Sequence, residues 1–211
     1  MTEEQNPNQP PANEQQKAAR HKARQQKLKQ AVDARVAAAS DEKGVLLVLT
    51  GNGKGKSTAG FGTVARAVGH GKNAAVVQFI KGSWECGERK LLENAGVQFE
   101  VMGTGFTWDT QDRDKDTAAA EKAWQAAEQW LSDDSIDVLL LDELTYMVSF
   151  HYLELEKVLT ALKNRPPMQH VIITGRNCHR QLIELADTVS EINNVKHAFD
   201  RGVKAQPGFD Y

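Results

Sequence analysis

Unbroken apolar runs, bounded by polar or turn-forming residues, set the rhythm of this chain. VLLVLT (Val45 to Thr50), AAVVQFI (Ala74 to Ile80), VQFEVM (Val97 to Met102), DVLLLDE (Asp137 to Glu143) and HVIITGR (His170 to Arg176) all fit strands that are buried on both faces. The segments between and after them are long enough for helices, expected over Ser57 to Val68, Glu88 to Asn94, Thr117 to Leu131, Tyr152 to Lys163 and His179 to Ala186. In the third of these, Ala120, Trp124, Ala127 and Leu131 recur on one helical face, which predicts core packing. Strands alternating with helices imply an α/β fold, a parallel sheet flanked by helices on both sides.

The pattern stops before Gly44. Residues 1–16 are rich in Asn, Gln, Pro and Glu and bury too little apolar surface to offset the entropy of ordering, so a disordered polar tail is expected. Residues 17–43 form a basic, helix-prone arm. From Lys17 to Arg35 it carries seven Lys or Arg against one acid, Asp33, with a thin stripe of Ala18, Ala31, Val32 and Val36. Such an arm is either a solvated charged helix or a segment that docks over an anionic site. Residues 44–211 then make one domain, a suitable size for a single core.

Overall charge narrows the partners. With 28 acidic and 26 basic residues the net charge is -2, which does not call for nucleic acid or an anionic membrane. No apolar run is long enough to span a bilayer, and the first residues lack the basic and apolar regions of a signal peptide, so a cytoplasmic protein is expected. Two cysteines, Cys86 and Cys178, are too few for a disulfide framework and lack zinc-site spacing, so reduced thiols are expected.

Chemistry enters directly after the first strand, in Thr50, Gly51, Asn52, Gly53, Lys54, Gly55, Lys56, Ser57 and Thr58. Strand, glycine loop and helix in that order are the context of a phosphate-binding loop. The glycines let the backbone turn tightly and aim N–H groups inward, Lys56 supplies a cation, and the Ser57 hydroxyl opens the helix where it can ligate Mg2+. The usual pattern has Gly where Thr50 stands, a mild departure. A glycine-rich turn with no ligand is the alternative. The fold expected is therefore a P-loop NTPase-like (RecA-like) single domain.

Such a site also needs a carboxylate at the end of a neighbouring strand, and Asp142 and Glu143 follow Val138 to Leu141. One of them should reach Mg2+, phosphate oxygens and waters completing its shell; otherwise the pair merely caps a helix. Arg176 ends the strand HVIIT on the ligand edge and is a candidate phosphate contact, or else a solvent-facing loop arginine. A phosphate loop does not say which bond of ATP breaks. No arginine-rich lid for a transferring γ-phosphoryl group is evident.

Strings beyond the loop bear on that question. TGNGKGKST, GHGKNAAVVQFIKG (Gly69 to Gly82), GERKLLE (Gly87 to Glu93), TGFTWDTQ (Thr104 to Gln111), LDELTYMV (Leu141 to Val148), VIITGRNCHR (Val171 to Arg180) and the tail VKHAFDRGVKAQPGFDY together resemble the ATP:corrinoid adenosyltransferases. The resemblance covers nearly all the chain from Gly44 onward and includes the basic arm. It implies a homodimer that transfers the 5′-deoxyadenosyl group of ATP to the Co(I) of a corrinoid (cobalamin, cobinamide or cobyrinic acid a,c-diamide), releasing triphosphate in adenosylcobalamin biosynthesis or salvage. It implies MgATP and corrinoid as ligands, with ATP bound in the reverse sense to ordinary phosphate-loop enzymes. The electron that makes Co(I) would come from a reductase such as a flavodoxin.

The resemblance also gives Phe106 and Trp108 a role, as an apolar wall where the lower cobalt ligand would otherwise sit, easing reduction of Co(II). In an extended segment, residues two apart project to the same side. Without the resemblance they read as core or loop anchors. In the tail, His197, Asp200, Arg201, Lys204 and Tyr211 would line the nucleotide or corrinoid pocket or simply close the sheet edge, and the arm would cover the dimer mate's site. Two rival readings use the loop and Asp142-Glu143 alone: a small kinase or ATPase that releases ADP, and a nucleotide-gated interaction module without turnover.

Overall fold

A computed structural model of the protein describes residues 12–80, 86–103 and 112–210. The described chain forms two compact units, residues 1–42 and 43–211. The first contains a single helix, α1 (Ala12–Ala38), with Glu14 in its first turn and Arg35 in its last, each charge complementing the helix dipole. Lys29 and Asp33 pair at 2.6 Å one turn apart. The helix starts ahead of the expected boundary at Lys17, so residues 12–16, expected to be disordered, are helical. Asn13, Glu14, Gln15 and Gln16 contain no helix breaker, and Glu and Gln have good helix propensity.

The second unit is built on six parallel strands: β1 (Leu46–Thr50), β2 (Ala74–Gln78), β3 (Gln98–Val101), β4 (Val138–Asp142), β5 (His170–Thr174) and β6 (Thr188–Glu191), in the order β3-β2-β4-β5-β1-β6. The expected strands lie where the apolar runs put them. β6 was not anticipated: TVSE is exposed throughout and has no apolar run to announce it. It is an edge strand held to β1 in register Leu47 with Thr188 through Thr50 with Glu191.

The continuous apolar runs reflect burial on both faces. Val138 and Leu140 join one core cluster with Phe61, Val64 and Leu92, while Leu139 and Leu141 join the other. Helices α2 (Lys56–Gly69) and α3 (Gly87–Asn94) supply the first side. The second is covered by α4 (Arg113–Leu131), α5 (Leu144–Ser149), α6 (Leu155–Lys163) and α7 (Arg180–Leu185). On α4, Ala120, Trp124, Ala127 and Leu131 are all buried, as their spacing predicted. At roughly 25 cal/mol per Å2, these two apolar layers dominate the stabilisation of the sheet.

Helix ends follow local chemistry. α4 begins earlier than expected because Asp112 accepts a hydrogen bond from the Lys115 N–H at 3.2 Å, an N-cap. The stretch expected as one helix from Tyr152 begins only at Leu155, and α5 precedes it. His151 lies between them at φ 58, a left-handed conformation that ends a helical run.

Candidate active site

The carboxyl ends of β1, β4 and β5 are neighbours in the sheet, and each delivers part of one site. After Thr50 the loop turns through Gly51 at φ 99 and Gly55 at φ 116, conformations that favour glycine, and Gly55 is the N-cap of α2. The loop is braced from the side by the segment after β6. The Gly53 N–H donates to the Ile192 carbonyl at 2.7 Å, and the Ile192 N–H donates to the Thr50 carbonyl at 2.8 Å. A Cβ on Gly53 would lie 2.8 Å from the Asn193 backbone, so the close approach itself requires glycine. Inside α2, a Cβ on Gly60 would lie 2.9 Å from Leu140, which explains how closely the helix sits on β4.

Lys56 is buried, and its ammonium donates to the Gly53 carbonyl at 2.8 Å. Burial pulls its pKa down, opposed by the negative charge of Glu143 and then reinforced by Arg176. Its head therefore lies inside the loop, within electrostatic range of the groups on β4 and β5. Ser57 and Thr58 follow on the first turn of α2, whereas the Asn52 and Lys54 side chains sit on the exposed side of the loop.

Asp142 completes the centre. It is buried and accepts a hydrogen bond from Thr174 Oγ1 at 2.7 Å, with the Ser57 side chain nearby. Burial raises its pKa, while the polar side chains of Thr174, Ser57 and Gln78 pull the other way. Glu143 follows in a left-handed conformation, φ 60, its N–H donating to Thr174 Oγ1 at 2.9 Å. Burial first and the charge of Asp142 second raise the Glu143 carboxyl, against the attraction of Lys56 and Arg176. Two desolvated carboxylates beside a hydroxyl make a hard-oxygen donor set that gains from a second cation, which fits Mg2+. Among the described residues no cluster of three His, Cys, Asp or Glu side chains offers a separate metal site.

The loop after β5 is shaped by contacts that sequence reasoning missed. Thr145 Oγ1, buried on α5, donates to the Arg176 carbonyl at 2.6 Å. Gly175, at φ 135, packs so closely that a Cβ there would collide with Thr145 Oγ1. This holds the Arg176 backbone at the sheet edge while its side chain is exposed. Thr174 and Gly175 were visible in the string VIITGR, but nothing in it marks Thr174 as the residue that grips Asp142.

Phe106 and Trp108 lie outside the described residues, as does Tyr211. The other tail candidates do not converge on the carboxylate centre. His197 Nδ1 accepts from the Phe199 N–H at 3.2 Å, Asp200 accepts from Asn194 at 3.5 Å, and Arg201 and Lys204 are exposed. The tail instead meets the loop through Asp210, whose carboxylate is 2.7 Å from the Lys54 ammonium. Cys86 and Cys178 are free thiols, and burial pushes Cys178 up to about 11. Among the described residues no helix is long and apolar enough to cross a membrane.

Comparison with known proteins identifies the family. A family model described as ATP:corrinoid adenosyltransferase BtuR/CobO/CobP matches residues 42–211, and one described as Cob(I)alamin adenosyltransferase N terminal matches residues 8–36. A corrinoid adenosyltransferase of Escherichia coli (strain K12) is 65% identical over 192 residues, covering 91% of this chain and 98% of its own. Corrinoid adenosyltransferase CobA of Salmonella typhimurium (strain LT2) is 63% identical with the same coverage. A corrinoid adenosyltransferase of Pseudomonas aeruginosa (strain PAO1) is 50% identical over 91% of this chain and 96% of its own. With its phosphate loop, paired carboxylates and six-stranded parallel sheet, the chain belongs to the ATP:corrinoid adenosyltransferase family.

Proposed function

We propose that the carboxyl edge of the sheet positions MgATP for attack at C5′ by the Co(I) of a corrinoid, forming a cobalt–carbon bond as triphosphate departs. The observation that carries this reading is the junction between loop and sheet, where the buried Asp142, held by Thr174 Oγ1 at 2.7 Å, lies near Ser57 at the start of α2. The family match supports adenosyl over phosphoryl transfer, because it spans residues 42–211 and not the loop alone.

Co(I) is a strong nucleophile, so the protein need supply neither an attacking side chain nor a general base. Its residues position and neutralise. As the C5′–O bond breaks, negative charge builds on the triphosphate, and the loop N–H groups, Lys56 and Arg176 stabilise it. Lys56 reaches a phosphate by exchanging the Gly53 carbonyl for a phosphate oxygen, leaving one carbonyl to be satisfied elsewhere. Thr50, Gly51, Asn52, Gly53, Lys54, Gly55 and Thr58 form the remaining wall of the nucleotide site. Ser57, Asp142 and Glu143 would hold Mg2+, which would supply further charge neutralisation to the leaving phosphates.

Phe106 and Trp108 are proposed to wall off the lower face of the corrinoid, so that a reductase such as a flavodoxin can deliver the electron to a Co(II) lacking that ligand. Residues 44–211 would act as the catalytic domain, with the basic arm covering the site of the second subunit in a homodimer, in the cytoplasm. Recognition of the arm by its own family model supports a shared role.

Phosphorus NMR of an anaerobic mixture of the protein, MgATP and cob(I)alamin tests the reaction type. Inorganic triphosphate appearing in step with adenosylcobalamin is the expected result. ADP and phosphate without a corrinoid product would move the chain to the ATPase or kinase reading.

A further inference from the structure

β2 is apolar until its last residue. Ala74, Ala75, Val76 and Val77 are buried hydrophobics, and Gln78, at the carboxyl end of the strand, is only 4% exposed. Its backbone is fixed from both sides. The Gln78 carbonyl accepts from the Met102 N–H at 2.9 Å, and the next N–H along the chain, that of Phe79, donates to the Asp142 carbonyl at 3.0 Å. Phe79 is itself buried and stacks on Trp124. Gln78 pairs in register with Asp142 on β4, and residues in register on neighbouring strands project to the same face of a sheet. The Gln78 side chain accordingly helps to draw the Asp142 carboxyl down against the effect of burial.

The other end of this amide is unused. Gln78 Oε1 is shut off from solvent and has no hydrogen-bond partner among the described residues. An unpaired buried acceptor costs stability, and methionine or leucine would fill similar space without that cost. Gln169 also has an unpaired Oε1, but its Nε2 donates to the carbonyls of Trp130, Asp133 and Ile136, which accounts for the residue structurally. Gln78 lies at the opposite, carboxyl end of the sheet, beside the carboxylate centre. Its oxygen needs an O–H or N–H that arrives with a ligand. Phosphate oxygens only accept and would repel it. The negative charge of Asp142 favours a donor carried by a cation, and Mg2+ in nucleotide sites keeps several waters, which the metal turns into strong donors.

We propose that Gln78 is a positioning residue for Mg2+, its Oε1 accepting from a water of the metal's shell while Asp142 stands beside it. The proposal rests on the reading that Ser57, Asp142 and Glu143 hold Mg2+. The unpaired acceptor is then a standing cost to folding that metal binding offsets.

Titration of Mn2+, in place of Mg2+, into the full-length protein with ATP tests this, the free ion being followed by its EPR signal. Gln78→Met, similar in volume but without the acceptor, is expected to weaken Mn2+ binding about tenfold, the lower end for loss of an outer-shell partner. Its urea midpoint without metal or nucleotide should equal or exceed that of wild type, because an unpaired acceptor is gone. Gln78→Glu keeps an oxygen at the same reach and should bind Mn2+ at least about fivefold tighter than Gln78→Met. Mn2+ affinity within about twofold of wild type in Gln78→Met would overturn the proposal and leave the oxygen to another donor, such as a ribose hydroxyl. A Glu variant as weak as the Met one, or a lowered midpoint in Gln78→Met, would overturn it in favour of a purely structural role. Asp142→Asn separates this inference from the metal reading beneath it. If Asp142→Asn weakens Mn2+ and Gln78→Met does not, the role of Gln78 fails alone, whereas no loss in either variant overturns the metal site as well.

Discussion

The sheet edge and the C-terminal tail meet at Lys54, yet they are built on opposite terms. At the edge, Asp142, Thr174, Thr145 and Lys56 are all buried, and each is fixed by a hydrogen bond to another element or to the loop itself. In the tail, Val195, Phe199 and Phe209 are 94%, 72% and 75% exposed, and its link to the loop is a surface ion pair with a ring beside it. The difference is between groups fixed in advance and a segment held loosely: charge that must be stabilised at the instant of bond breaking calls for groups already in place, whereas a segment with few buried contacts costs little to move.

The buried half should fail abruptly when broken. Lys56→Ala removes the cation at the centre of the loop, and adenosylation from cob(I)alamin is expected to fall about a thousandfold or more in a steady-state assay. If Trp108 forms the proposed apolar wall, Trp108→Ala is expected to act on one step only, lowering adenosylation from Co(II) about a hundredfold while activity with chemically prepared Co(I) changes little, because such a wall would serve reduction and not alkyl transfer. Equal losses in the two assays would remove that role.

Backbone geometry offers the next test. Gly175→Ala would place a Cβ on Thr145 Oγ1 at a φ that side chains rarely adopt, so a loss of about 1–3 kcal/mol in chemical denaturation is expected. Thr145→Ala in the same chain should recover the steric part of that loss but not the backbone strain. A far smaller effect is expected from Asp187, which accepts from the Leu46 N–H at 2.9 Å and pairs with Lys43. Those contacts hold its carboxyl below the usual range. A lowered carboxylate contributes stability above its unfolded pKa and loses it as pH falls through the folded value. Asp187→Asn should therefore flatten the acid side of the stability–pH curve while leaving turnover unchanged.

The same contrast explains what could be read from the sequence. The five expected strands were legible because each is an apolar run, and the phosphate loop because glycine, lysine and serine have separate physical jobs there. β6 escaped because an exposed edge strand needs no apolar signal. The grip of Thr174 on Asp142 and the brace from Ile192 also escaped, since both depend on which strands become neighbours. In the tail, charged and aromatic residues were visible but their partner was not: Asp210 reaches Lys54 across more than 150 positions of chain.

The central claim is that Ser57 and Asp142 act as one unit joining the loop to the sheet. A double-mutant cycle on adenosylation from cob(I)alamin, using Ser57→Ala, Asp142→Asn and both together, tests it most directly. The account predicts that the double variant loses little more activity than Asp142→Asn alone, because either change already breaks the unit. Losses that multiply would mean that the two residues act independently, contradicting the proposed junction.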